Sequence, residues 1–388
     1  MTKGSTMTFG VDLGDEFSQL CVLDAEGEIV EESRLSTTEA AFRQRFGGIQ
    51  AGLVVIEVGT HSPWLSRLLA GLGHECLVAN PATLHRKGRK KNDRVDARKL
   101  ARWGRADPDM LEPIQHAGAE IQADMAIVHS RRSLVEARTK LINRARGLVK
   151  SYGGRLPRCD ADYFAPRVAA FVPPELEQAV APLLQTIALL TTQIKTLEQR
   201  IEALAEGKYR GPTVPMRQIK GVGVVTALAY ALTIRDPGRF ARSRQVGAYL
   251  GLTRRQDQSG DSDPENSISK AGNVYLRQLL VQSAQYILGP FGVDSDLRRW
   301  GLRKAVGGKK AKARAVVAVA RKLAVLLHRL WLSGEDYEPL RPGASASASP
   351  PDGEPKLLVK VPPTANRTAP NAGKDLDFAA TALEGGEA

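Results

Sequence analysis

Leu53-Val54-Val55-Ile56-Glu57-Val58-Gly59 is an apolar run of the kind central strands carry, with one glutamate where an apolar residue would be less costly to bury. Phe9-Gly10-Val11-Asp12-Leu13-Gly14 has the same arrangement near the start of the chain, a short apolar stretch ending in a carboxylate and a glycine. Leu20-Cys21-Val22-Leu23 and Gly27-Glu28-Ile29-Val30 follow at the spacing of short strands joined by tight turns. Beyond Glu57 the pattern predicts a helix over residues 63–72 and a strand over residues 76–79. Strands that first meander and then alternate with helices make a mixed α/β sheet, and such sheets place functional groups at strand ends. Asp12 or Glu57, taken singly, reads as a surface residue at a strand end.

The next stretch changes that weighting. His85-Arg86-Lys87-Gly88-Arg89-Lys90-Lys91-Asn92-Asp93-Arg94-Val95-Asp96-Ala97-Arg98-Lys99 sets two carboxylates three residues apart inside a dense run of cations. Asn92 or Asp93 can cap a helix that continues through Val95, and residues i and i+3 share a helical face. Two carboxylates aimed at one place repel unless a metal or a shared proton lies between them. The plain alternative is a solvated helix start, with acid at the positive end of the dipole. Asp12, Glu57, Asp93 and Asp96 together make a candidate divalent-metal site, and oxygen-only ligands favour Mg²⁺ or Mn²⁺. Paired metals of this kind polarise a phosphodiester. Arg86, Lys87, Arg89, Lys90 and Lys91 would hold the phosphate backbone beside it.

Composition agrees with a polyanionic partner. The chain has 388 residues, enough for two or three domains, and a formal net charge of +13, which points to nucleic acid before a membrane surface. Aromatics at 5% leave few rings for base stacking. Cys21, Cys76 and Cys159 are widely spaced with no CxxC pair, which argues against zinc and against a disulfide scaffold. A reducing cytoplasmic location is the expectation. The sequence has no apolar run long enough to span a bilayer.

Residues 120–150 read as a helix whose Arg131, Arg132, Arg138, Lys140, Arg144, Arg146 and Lys150 outnumber what solubility requires, and they suggest backbone contact with nucleic acid. Residues 151–174, with several glycines and prolines, read as a linker. Val180, Leu183, Ile187, Leu190, Ile194, Leu197, Ile201 and Leu204 alternate spacings of three and four, a coiled-coil seam that stops at Gly207. Self-association is the favoured use of that seam, and a long helix packed inside its own chain is the alternative. Ile219-Lys220-Gly221-Val222-Gly223-Val224 places Gly-x-Gly at a helix start, where backbone amides can hold a phosphate, and it looks like a helix-hairpin-helix. A polar loop over residues 254–266 contains Gln258-Ser259-Gly260, usually no more than a turn. Near activated phosphate its serine could act as a nucleophile. Residues 297–330 hold eleven Lys or Arg and no Asp or Glu, and their later part reads as an apolar helix lining a nucleic-acid channel. The tail beyond residue 341 is rich in Pro, Ala, Ser and Gly and is expected to be disordered.

These residues, in this order, resemble the DEDD transposases of insertion elements, relatives of the Piv/MooV site-specific DNA invertases. The resemblance runs through Val11-Asp12-Leu13-Gly14, Ile56-Glu57 and Asn92-Asp93-Arg94-Val95-Asp96-Ala97. It continues through Gly221-Val222-Gly223, Tyr249-Leu250-Gly251-Leu252, Gln258-Ser259-Gly260 and Ile268-Ser269-Lys270-Ala271-Gly272-Asn273 with Tyr275-Leu276-Arg277. It implies an α/β plus α protein: a ribonuclease-H or RuvC-like domain over residues 7–115, a basic helix and coiled-coil segment over 116–207, a mostly helical C-terminal transposase domain over 208–338, and a tail over 339–388. It implies that Asp12, Glu57, Asp93 and Asp96 bind Mg²⁺ and that Ser259 attacks DNA to give a covalent phosphoserine. It implies donor and target DNA as substrates, a structured bridge RNA as guide, and dimers that assemble into tetramers. Gly221, Gly223, Lys270, Arg277, Lys309 and Lys310 join the arginines and lysines above as candidate nucleic-acid contacts. The residues after Ser259, Asp261-Ser262-Asp263-Pro264-Glu265, are acidic where the family continues with basic residues, so Ser262, Ser267 and Ser269 stand as rival nucleophiles. A hydrolytic RuvC-like junction nuclease and a non-catalytic nucleic-acid-binding protein are the competing readings. The first would need the quartet and no serine; in the second the acids merely cap and balance.

Overall fold

The computed structural model describes residues 7–80, 93–255 and 266–340. Three N-terminal strands, β1 Thr8–Asp12, β2 Phe17–Leu23 and β3 Ile29–Ser36, form an antiparallel meander. Two further strands, β4 Leu53–Glu57 and β5 Glu75–Ala79, add in parallel on the far side of β1, giving the order β3-β2-β1-β4-β5. Helix α1 Glu39–Phe46 leads into β4, and α2 Ser62–Gly71 crosses from β4 to β5. The sequence reading assigned no element where α1 lies. Thr38 caps it by accepting from the Ala41 amide, and Phe42 and Phe46, one turn apart, are fully buried.

The two faces of the sheet are covered differently. Phe9, Val11, Val54 and Ile56 pack with Phe42, Phe46, Leu65 and Leu69 of α1 and α2. Side chains alternate along a strand, so Gly10, Asp12, Val55 and Glu57 belong to the opposite face. Helix α3 Asp93–Ala106 lies on that face against β1 and β2. It sits so close that a Cβ added to Gly10 would fall 2.1 Å from the Ala97 carbonyl oxygen, and one added to Gly104 would fall 2.2 Å from Val55 Cγ2. Ion pairing steers the helix as well, because the Arg98 guanidinium grips both oxygens of Glu32 on β3.

The chain divides into two compact units, residues 1–123 and 124–388. Helix α4 Ala119–Ser151 runs across that boundary. In the second unit α4 packs with the short α5 Phe164–Val168 and the long α6 Glu177–Glu206 around Ile142, Val149, Phe164, Val168, Val180 and Ile187. The segment 151–174 is therefore packed structure rather than a linker: Phe164 and Val168 are both fully buried. The expected seam is also used inside the chain. Val180, Ile187, Ile194 and Ile201 are buried, together with Leu184, Thr191 and Ala205, which fall one position beyond the other expected seam leucines. Leu183, Leu190, Leu197 and Leu204 are half-buried. Heptad spacing demands a partner for the apolar stripe, and here much of that partner is the chain itself.

Helices α7 Arg210–Arg217, α8 Val224–Ile234, α9 Gln245–Tyr249, α10 Val274–Leu288, α11 Asp296–Lys304 and α12 Lys309–Ser333 complete this unit. Residues 124–207 and these helices fall within the same compact unit. Helix α8 is buried along most of its length, and its Tyr230 hydroxyl donates to the Ala324 carbonyl of α12 at 2.7 Å. Tyr230→Phe is expected to lower unfolding stability by about 1 kcal/mol, the net value of one buried hydrogen bond, read by thermal denaturation.

His328 on α12 is also buried. Its Nε2 lies 3.0 Å from the Pro237 carbonyl, an acceptor only, so Nε2 carries the proton and Nδ1 accepts from the Ser243 hydroxyl at 3.0 Å. Burial pushes the imidazole below its ordinary value of 6.5, while the carbonyl contact opposes that shift. The unfolded chain therefore takes up this proton first as pH falls. The contribution of His328 to stability is complete above pH 6.5 and is lost as pH drops towards the depressed folded value. Denaturant titrations between pH 8 and 5 are expected to show a flatter pH dependence for His328→Gln than for the parent.

Candidate functional site

Parallel register between β1 and β4 pairs Val11 with Ile56, so Asp12 and Glu57 are the next residues on neighbouring strands, at their carboxyl ends and on one face. Helix α3 brings its own acids to the same end. Its last turn lies where β1 begins, because Arg105 donates to the Ala25 carbonyl just past the end of β2, and Leu23 pairs with Thr8. The first turn of α3, with Asp93 and Asp96, therefore points towards the end where Asp12 and Glu57 stand. Asp12, Glu57 and Asp96 are half-buried and Asp93 is exposed.

The side chains do not close around one point. Among the described residues, no group of three or more His, Cys, Asp or Glu is arranged to hold a metal ion. Asp96 instead accepts from the Lys99 ammonium at 2.5 Å. A lysine one turn away is thus the positive charge that this carboxylate has in the structure. The donor chemistry still fits a hard divalent cation: two carboxylates adjacent at the ends of neighbouring strands, and two more in the first turn of the helix that covers that face.

The same edge holds a group that the sequence reading missed. Trp64 Nε1, a donor only, lies 3.1 Å from His61 Nδ1, which fixes Nδ1 as acceptor and puts the proton on Nε2. Nε2 then donates to Asp15 Oδ1 at 3.2 Å. Asp15 follows β1 and His61 follows β4, so both belong to the loops beyond the candidate carboxylates. Gly59-Thr60-His61-Ser62-Pro63 reads in sequence only as a turn into a helix, and nothing there signals a partner for His61 that is 46 residues away.

The expected nucleic-acid contacts sort into distinct groups. Arg86, Lys87, Arg89, Lys90 and Lys91, and likewise Ser259, lie outside the described residues. Arg138 and Arg277 are both buried. Arg138 is 7% exposed and donates to Asp162 at 2.6 Å and Thr191 at 3.2 Å, tying α4 to α6. Arg277 is 8% exposed and donates to the Leu250 and Ala271 carbonyls at 3.0 and 2.5 Å, and burial lowers its pKa. Arg131 pairs with Glu198 at 2.5 Å, and Arg132 bonds Glu136 while lying 4.7 Å from the Tyr275 ring centre. Lys270, Lys309 and Lys310 are exposed, the last two in the first turn of α12. Gly221, at φ +104°, lies in the turn between α7 and α8, where a side chain would meet the Tyr286 ring at 2.8 Å, and Gly223 precedes the first residue of α8.

Residues 9–153, which include all four carboxylates, match the IS110-type DEDD transposase domain, described as a transposase. Residues 215–290 match the transposase IS116/IS110/IS902 family. A transposase for insertion sequence element IS1111A from Coxiella burnetii is 30% identical to this chain, over 84% of it and 90% of the relative. The chain belongs to the IS110/IS116 family of transposases. Relatives at lower identity include a transposase for insertion sequence element IS1328 from Yersinia enterocolitica, 27% identical over 81% of this chain and 93% of its own length. The pilin gene-inverting protein of Moraxella bovis is 25% identical over 74% and 81% respectively. The family membership expected from the DEDD and Gly-x-Gly residues therefore holds, including the link to a DNA-inverting protein. An insertion-element transposase of this family has DNA as its substrate and recombination as its task. Among the described residues of this transposase, no helix is long and apolar enough to cross a membrane.

Proposed function

We propose that this IS110-family transposase cuts and rejoins DNA through a covalent phosphoserine, with Asp12, Glu57, Asp93 and Asp96 as the carboxylates of a RuvC-like centre. The observation that carries the reading is the strand register that sets Asp12 beside Glu57 at the edge towards which α3 directs Asp93 and Asp96. Those four would hold Mg²⁺ or Mn²⁺, which when bound supplies charge neutralisation at a phosphodiester. Asp96 would exchange its Lys99 partner for that role, leaving the ammonium to meet a phosphate oxygen. The Ser259 hydroxyl forms a bond to phosphorus while the bond to the departing deoxyribose oxygen breaks, and the serine proton passes to a base or to that oxygen. A second DNA hydroxyl then attacks the phosphoserine, releasing the serine and joining the new strands, so no bond energy is lost to water. The Gly221–Gly223 turn would grip backbone phosphate in the manner of a helix-hairpin-helix, and the exposed lysines Lys270, Lys309 and Lys310 would extend that grip.

The reading extends to a bridge RNA that pairs with donor and target DNA, and to dimers that assemble into tetramers, with quartet and serine drawn from different subunits. The test uses the full chain with DNA carrying the element's ends and Mg²⁺. Asp12→Asn and Glu57→Gln are each expected to slow strand cleavage by about 10²- to 10³-fold, the scale of losing one fixed electrostatic partner of a transition state. DNA affinity by gel shift should change by less than about threefold, because these residues do not supply the phosphate-binding cations. Cleavage at the parental rate in both variants would leave a basic scaffold whose acids have no chemical role.

A further inference from the structure

The C-terminal unit carries a cleft of about 2060 Å³ whose lining includes none of the four candidate carboxylates. That exceeds the ~300–1,000 Å³ of a small-molecule pocket. One face of α12 forms its floor. Val317 and Ala318, then Arg321 and Lys322, then Val325 and Leu326, then Arg329 follow one another along that face. Apolar and cationic steps therefore alternate, each about one helical turn (~5.4 Å) from the last. The four aliphatic side chains are half-buried and the three cations exposed, so the floor offers bare apolar surface between charges. Trp300 of α11 lines the same cleft, with Lys322 Nζ 3.9 Å from its ring centre. Burial, with the nearby charges of Arg303 and Lys304 adding to it, holds the Lys322 ammonium below its usual pKa. Acids gather at one end only, at Asp296, Glu335, Asp336 and Glu338.

The cleft is also lined by residues that adjoin the serine segment in the sequence. Arg254 on one side and Asn266, Ser267 and Ile268 on the other line it, and these are the residues from which the segment 256–265 departs and to which it returns. That segment contains Ser259.

We propose that this cleft seats an unpaired DNA strand, the one presented to Ser259, with phosphates on Arg321, Lys322 and Arg329 and bases against Trp300 and the aliphatic steps. The proposal rests on the serine reading above for the identity of the strand. Alternation is the feature that selects a single strand. A duplex stacks its base faces away from the protein and would leave the aliphatic floor wet, whereas an unpaired strand offers a charged edge and bare rings together.

The test is equilibrium binding of the full-length protein to one labelled oligonucleotide prepared as single-stranded DNA, as duplex DNA and as single-stranded RNA. Trp300→Leu is expected to weaken single-stranded DNA by about tenfold, within the range for loss of one stacked base. Duplex affinity should change by less than about twofold. Arg321→Gln with Lys322→Gln should reduce the salt slope on single-stranded DNA by about 1.4, two phosphate contacts at ~0.7 each. Trp300→Phe keeps a ring and should restore most of the affinity, which separates stacking from misfolding. Equal losses on single strand and duplex, or no loss on either, overturn the proposal. So does a larger Trp300 dependence for RNA than for DNA, which would give the cleft to a guide RNA. Covalent adducts that persist in Ser259→Ala count against the nucleophile, and single-strand binding that ignores Trp300 counts against the cleft, so the two readings fail by separate measurements.

Discussion

Ser259→Ala is expected to reduce covalent protein–DNA adducts, seen as slow-migrating bands on denaturing gels with end-labelled DNA, to below detection. The size of the effect follows from the chemistry: without the hydroxyl there is no atom to carry the phosphoryl group, so the loss is complete rather than graded. DNA binding should be unchanged, because one neutral side chain contributes nothing to the counterion release that dominates affinity for a chain of charge +13. The rival serines give the control. Ser267 and Ser269 lie on a short two-stranded ladder: Arg254 pairs with Ile268, the Arg255 amide donates to the Ser267 carbonyl at 3.0 Å, and the Ser269 amide donates to the Thr253 carbonyl at 2.8 Å. Their backbones are already committed to pairing with Thr253 and Arg255. Ser269→Ala should therefore retain adducts within a fewfold of the parent. Adducts lost in Ser269→Ala and kept in Ser259→Ala would move the nucleophile to the ladder. Nicking without any adduct in the parent protein would favour the hydrolytic junction nuclease.

Legibility in the sequence depended on how local the physical cause was. The strand ends at Asp12 and Glu57 stand out because a carboxylate in an apolar run carries a desolvation cost visible in one dimension. Helix α2 was readable from periodicity, and α3 from the helical run through Val95. Helix α1 was not, because its burial rests on Phe42 and Phe46 within an otherwise polar stretch. The packed segment around Phe164 was hidden by the glycines and prolines that flank it. The heptad of α6 was legible as a stripe, but spacing does not say whether the partner is another chain or α5 and its neighbours. Arg138 and Arg277 show the same limit for charge. In sequence both are cations among cations, and only the fold reveals that Asp162, Thr191 and two backbone carbonyls enclose them. At the candidate site, the strand-end positions of Asp12 and Glu57 were foreseeable, whereas the His61 link between Asp15 and Trp64 needed the two loops to be seen side by side.

Gly10→Val is expected to destabilise the N-terminal unit by about 3 kcal/mol or more, at or beyond the upper end of overpacking costs. The neighbours leave no room to relax. A Cβ at residue 10 would lie 2.1 Å from the Ala97 carbonyl oxygen, 2.4 Å from the Ala101 amide nitrogen and 2.9 Å from Ala101 Cβ. Two of these are helix backbone atoms, which cannot rotate aside as a side chain would. Helix α3 must therefore lift from the sheet, opening the buried contacts of Ala97 and Ala101 with Cys21 and Leu23, and of Leu100 with Val55 and Leu77. Gly71→Ala is the control: it ends α2 with nothing within 4 Å of the added carbon, and it should be neutral or slightly stabilising. Thermal unfolding and limited proteolysis of the full chain would read both. The consequence reaches the chemistry, since α3 is the element that carries Asp93 and Asp96 towards the end where Asp12 and Glu57 stand. In conditions where Gly10→Val remains folded, strand cleavage should fall further than DNA binding does. A Gly10→Val protein that melts within about 1 kcal/mol of the parent and cleaves at the parental rate would mean that close seating of α3 is dispensable for both the fold and the site.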